Sequence, residues 1–177
     1  MTIADKTVLV TGANRGIGQA LVEINTVGAE AERERSARLS RQPGTGPLCR
    51  TLLRLRHDLV MVGRTAGAPL PEAIQVRIEP RLGAVASAAR DFLQMSGNSL
   101  LAEQGPPTLG PLEAALGAYN AEVGAIRRDG LVRAFPSEAA ERFFAVGFVL
   151  EQMHRNLLDL ARVVTEWSPA GGQEEAS

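Results

Sequence analysis

The stretch Pro47-Leu48-Cys49-Arg50-Thr51-Leu52-Leu53-Arg54-Leu55-Arg56-His57-Asp58-Leu59-Val60-Met61-Val62-Gly63-Arg64 decides the fold. Its apolar positions 48, 52, 55, 59 and 62 alternate steps of four and three. At about 100° per residue, such steps put Leu48, Leu52, Leu55, Leu59 and Val62 on one side of a helix, whereas a half-buried strand needs every second residue apolar. Pro47 suits a first helical position, where its missing N–H has no intrahelical partner to lose.

The same periodicity continues outward. Gly67-Ala68-Pro69 and Gly105-Pro106-Pro107 are breaks, and Pro80 between them is expected to divide a short helix from a longer one carrying Leu82, Val85, Ala89, Phe92 and Leu93. Leu112, Leu116, Tyr119, Val123 and Ile126 form the next stripe, closed by Asp129-Gly130. A last helix is expected with Ser137 as N-cap and Glu138 in its first turn, running through Val146, Leu150, Met153, Leu157, Leu160 and Val164 to Trp167, ahead of Pro169. Helices of this kind joined by short Gly/Pro connections predict an antiparallel bundle.

Composition agrees with a helical interior. The 177 residues are 45% apolar but only 4% aromatic, so Ala, Leu and Val must fill the core. A net charge of -1 supplies no field for nucleic acid, and a single cysteine, Cys49, makes neither an internal disulfide nor a thiolate zinc site. The longest strongly apolar uncharged run, Phe143 to Leu150, is eight residues, against roughly 20 for a membrane span.

The N-terminus is unlike the rest. Thr7 to Val10 reads as a short strand ending in Thr11-Gly12, Gly16 to Val22 reads as the start of a helix, and Thr11-Gly12-Ala13-Asn14-Arg15-Gly16-Ile17-Gly18 spaces its glycines between the strand and the mouth of that helix. Glycines there let a backbone approach a pyrophosphate held at a helix N-terminus. With Lys6-Thr7-Val8-Leu9-Val10, the segment resembles the opening of the short-chain dehydrogenase/reductase family. The resemblance covers residues 1–23 and gives Gly12, Arg15, Gly16, Ile17 and Gly18 as a vestigial NAD(P)-binding turn. A dinucleotide needs several parallel strands, yet the acid-bearing second strand is replaced by a Glu/Arg-rich stretch from Ala29 to Arg41. The family's catalyst, a Tyr-x-x-x-Lys pair, is also missing. The only tyrosine is Tyr119, four residues later stands Val123, and the only lysine is Lys6.

Residues from about 29 to 167, most plainly Pro47 to Arg64 with Pro69-Leu70-Pro71-Glu72, resemble a cytoplasmic helical region of the fusaric acid resistance (FUSC) or aromatic acid exporter family of bacterial inner-membrane proteins. That resemblance implies membrane-protein subunits, or a second copy of the chain, as partners. It implies a cytoplasmic location, with the inner-membrane face as a second placement, and no transport by this chain alone.

Three further groups have the residue types of a site. Arg50, His57 and Arg64 recur every seven residues as a basic ridge suited to an anionic partner or lipid headgroups; the plainer expectation is a solvated face paired with acids such as Asp58. Glu151-Gln152-Met153-His154 has the Glu-x-x-His spacing of di-iron bundles, but that motif must occur twice and here occurs once, so an ordinary partly buried histidine is expected. Phe143, Phe144 and Phe148 make an aromatic turn, read first as core packing and otherwise as a docking patch.

The sequence thus predicts a mainly α protein: an antiparallel helical bundle preceded by a short β-turn-α stub. Its units are a stub over 1–23, a charged helix and linker over 24–46, a bundle over 47–168 and a disordered tail over 169–177. The expected role is a non-catalytic interaction module, with no catalytic residue, metal or cofactor. An inactive NAD(P)-binding remnant is the alternative, and a fused or frame-shifted reading frame without selected function is the third.

Overall fold

Four long α-helices follow one another in the computed structural model, which describes residues 26–28, 30, 33, 43–66 and 70–168. They are α1 Thr45–Ala66, α2 Glu72–Leu101, α3 Gly110–Arg128 and α4 Ser137–Glu166, with a 3₁₀ turn at Leu131–Ala134 before the last. The expected strand and glycine turn of residues 1–23, most of the charged 24–46 segment and the tail from 169 lie outside the described residues. Within 24–46, Thr26 to Gly28, Glu30 and Arg33 are helical. No strand occurs among the described residues.

Cross-helix contacts fix the directions. Arg54 reaches Asp159, and Asp58 reaches Asn156, so α1 and α4 run antiparallel. Arg77 reaches Glu122 and Asp129, which orients α2 against α3. His154 lies beside Glu113 and Gly147 beside Tyr119, which orients α3 against α4. The protein is therefore mainly α, and the described helices form an antiparallel bundle. Helices α2 and α4, at 30 residues each, run about 45 Å.

One core joins all four helices: Leu55 from α1, Ile74, Ile78, Val85 and Phe92 from α2, Leu112, Leu116, Tyr119 and Ile126 from α3, and Phe143, Leu150, Leu157 and Val164 from α4. Full burial of such a side chain contributes about 1.5–3 kcal/mol, so the apolar stripes and not local propensity hold the helices together.

The structure alters several boundaries. Helix α2 passes unbroken through Pro80. Proline removes one hydrogen bond and crowds the carbonyl four residues back, but here both Pro80 and Val76 face solvent, the side on which water can replace the lost donor, while Ile78 and Val85 remain packed on the opposite side. Ser137 is the first helical residue, not the N-cap. Pro136 occupies the cap, and its carbonyl accepts from Ala139 N and Ala140 N at 2.9 and 3.1 Å. Helix α1 begins at Thr45, two residues before Pro47.

Helix α2 also ends ahead of the Gly105-Pro106-Pro107 break. Glu103, in the left-handed region at φ 52°, turns the chain, and Gln104 N donates to Ser99 O at 2.9 Å. The α3 terminus follows expectation, with Gly130 left-handed at φ 72° just after the Asp129 cap.

Candidate functional site

On α1 the buried stripe is rotated from the one expected. Leu55 is buried as predicted, but Thr51 and Asp58 turn inward at 2% and 3% exposure, while Leu52 is half-buried and Leu59 faces solvent. Both 48-52-55-59-62 and 48-51-55-58-62 follow steps of three and four, and neighbouring residues differ by only about 100°. The polar set is used because α4 supplies Asn156, itself 3% exposed, whose Nδ2 donates to Asp58 Oδ2 at 2.6 Å. A carboxylate removed from water is tolerable when a donor replaces the lost hydration. Asp58 is therefore not the surface partner of the basic ridge.

That ridge is otherwise where the sequence put it. Arg50, His57 and Arg64 are all exposed on α1. The neighbouring Arg54 crosses to Asp159 of α4 at 3.2 Å, and Asp159 also accepts from Arg162 at 2.9 Å. Between the helices lies a shallow open depression of about 390 Å³, lined by Leu53, Arg54, His57, Asp58, Gln152 and Asn156. Its lining residues include both charge signs.

Glu151 and His154 do not converge. Glu151 points outward and accepts from Arg155 at 3.4 Å, one turn along the same helix. His154 turns to α3, with Nε2 3.6 Å from Glu113 Oε1, beyond hydrogen-bond length and attractive when the imidazole is protonated. Among the described residues no three metal-ligating side chains gather.

Tyr119 is 1% exposed in the core, and burial pushes its hydroxyl up to about 12. Burial disfavours the charged phenolate, the opposite of the activation a catalytic tyrosine needs. Gly12, Arg15, Gly16, Ile17 and Gly18 lie outside the described residues. Cys49 is buried where α1 meets Gly28, whose carbonyl accepts from Thr45 Oγ1 at 3.0 Å.

The aromatic turn of α4 departs most from expectation. Phe143 is core, 1% exposed, and meets Phe135 and Phe144 edge-on. Phe144 and Phe148 are not core: they stand on the outer face at 44% and 72% exposure. Arg127 of α3 covers the Phe144 ring at 5.6 Å, and the Phe148 ring has no aromatic or cationic neighbour among the described residues. Residues 144 and 148 are one turn apart, so they fall side by side while 143 points to the opposite half of the helix. The scarcity of aromatics favours burying all three, but the helical phase that buries Phe143 turns Phe144 and Phe148 outward.

No family model, curated protein or solved structure matches this chain. None of the helices among the described residues is long and apolar enough to cross a membrane.

Proposed function

We propose that the chain is a non-catalytic helical interaction module that docks through the outer face of α4. The observation that carries this reading is the exposure of Phe148, 72%, beside Phe144 in a protein with five phenylalanines. Large aromatics contribute most when a partner removes them from water, and a patch rimmed by charge is the usual form of a protein contact. Glu141, Glu151 and Arg155 provide that rim. The burial of Tyr119, with no lysine among the described residues, supports the non-catalytic part. The resemblance of residues 29–167 to cytoplasmic regions of aromatic acid exporters adds membrane-protein subunits to the candidate partners.

Photocrosslinking in the native host tests the docking. A photoreactive phenylalanine at position 148 should yield adducts of discrete mass, and one at the exposed Gln94 of α2 should not. Equal labelling at the two positions, or none at 148, refutes the module.

A further inference from the structure

Resting on that docking role, we propose that the partner is a second copy of this chain, joined through an antiparallel α4–α4 contact whose two-fold axis passes beside Phe148. The outer face of α4 is built as a seam. Glu141, Phe144, Phe148, Glu151, Arg155 and Leu158 follow steps of three, four, three, four and three, and all are exposed. Side chains so spaced form one continuous strip that another helix can lie along.

Charge placement selects the occupant. In a two-fold antiparallel contact, each residue faces the one equally far on the other side of the axis. Glu141 and Arg155 each stand seven residues from Phe148, so Glu141 of either copy faces Arg155 of the other, and the pair forms twice. Glu141 makes no ion pair among the described residues, and Arg155 has one contact, to Glu151 at 3.4 Å on its own helix. The charges are thus available for a contact across the seam. A parallel contact would set Glu141 against Glu141 and Arg155 against Arg155, with repulsion at both ends. Near the axis the two Phe148 rings meet, which fits the preference of aromatics for offset or edge-on pairs. An anionic lipid surface fits poorly, since Glu141 and Glu151 sit on the same face as the two phenylalanines.

Sedimentation equilibrium of the full chain over a concentration series reads the outcome. The expected species has twice the 18.8 kDa chain mass. Phe148→Glu should raise the dimer dissociation constant by at least about 30-fold, the effect of losing a central aromatic anchor, with an unchanged far-UV spectrum. Glu141→Arg and Arg155→Glu should each weaken the dimer, and the double variant should recover it, because the swap restores both pairs. A chain that stays monomeric throughout, or a double variant no better than the singles, overturns the proposal. So does flotation with anionic vesicles that Phe148→Glu abolishes in place of a dimer. The photocrosslink separates the two readings: an adduct at twice the chain mass supports both, an adduct of another discrete mass retains the docking module and rejects the second copy, an intramolecular crosslink at monomer mass rejects both.

Discussion

Single residues show where an apolar pattern underdetermines a helix face. The sequence assigned Leu52 and Leu59 to the core, and Thr51 and Asp58 took those places because Asn156 stood ready on another helix, 98 residues away. The one hint was Asn156 itself, an uncharged polar residue between Met153 and Leu157 on an otherwise apolar stripe. Tyr119 was legible as core from its spacing, and its chemistry gives a direct check. It is the sole tyrosine, so its absorbance titration is unambiguous. Burial holds the hydroxyl near 12, against about 10 in the unfolded chain, so the folded form keeps a proton that the unfolded form loses first. The stabilisation from this group is complete below about pH 10 and is lost as pH rises through about 12. Phenolate absorbance should therefore appear about two pH units late, then jump to the model-compound value on adding denaturant. Ionisation near pH 10 in the native protein would place Tyr119 at the surface.

Elements were read more securely than their ends. Helix was expected in each segment between the breaks at 67–69, 105–107 and 129–130, with α2 in two pieces, because apolar stripes persist over many turns and any one misplaced residue changes little. Pro80 was misjudged since the cost of a helical proline depends on whether the freed carbonyl meets water, which only the tertiary arrangement decides. The pairing of α1 with α4 carries its own prediction through Asp58 and Asn156. Sliding α4 by one turn in one direction would bring Leu160 to Asp58 and leave the carboxylate without a donor, whereas the other direction would bring Gln152, so the pair biases the register without locking it. Removing either partner leaves a buried polar group unsatisfied, so Asp58→Leu and Asn156→Leu should each cost at least about 1–3 kcal/mol in urea denaturation. The double variant should cost clearly less than the two single losses added together, since neither unsatisfied group then remains. Strict additivity would mean that the 2.6 Å contact contributes nothing specific.

For the whole molecule, the question is which part of the chain holds it together. The core cluster and the apolar residues packed on it run from Leu48 to Val164, with contributions from every helix of the bundle. The candidate docking face was only half legible, because the sequence named Phe143, Phe144 and Phe148 together and the phase of α4 against its neighbours then separated one from the other two. Close to the N-terminal segment, Gly28 sits against Thr45 and Cys49 at the start of α1, and a Cβ added there would lie 3.2 Å from Cys49 Sγ. Deletion of residues 1–23 keeps that contact and every described residue of the core. With the described core carried by four helices, the deletion should change the unfolding free energy by less than about 1 kcal/mol. Leu55→Ala removes a side chain 4% exposed at the centre of α1 and should cost about 2–5 kcal/mol through lost transfer energy and the cavity left behind. Urea titrations of the two variants with matched slopes decide between the parts of the chain. A truncation that unfolds, or a Leu55→Ala variant as stable as the parent, would mean that the stabilising core extends into the N-terminal segment and does not centre on the four helices.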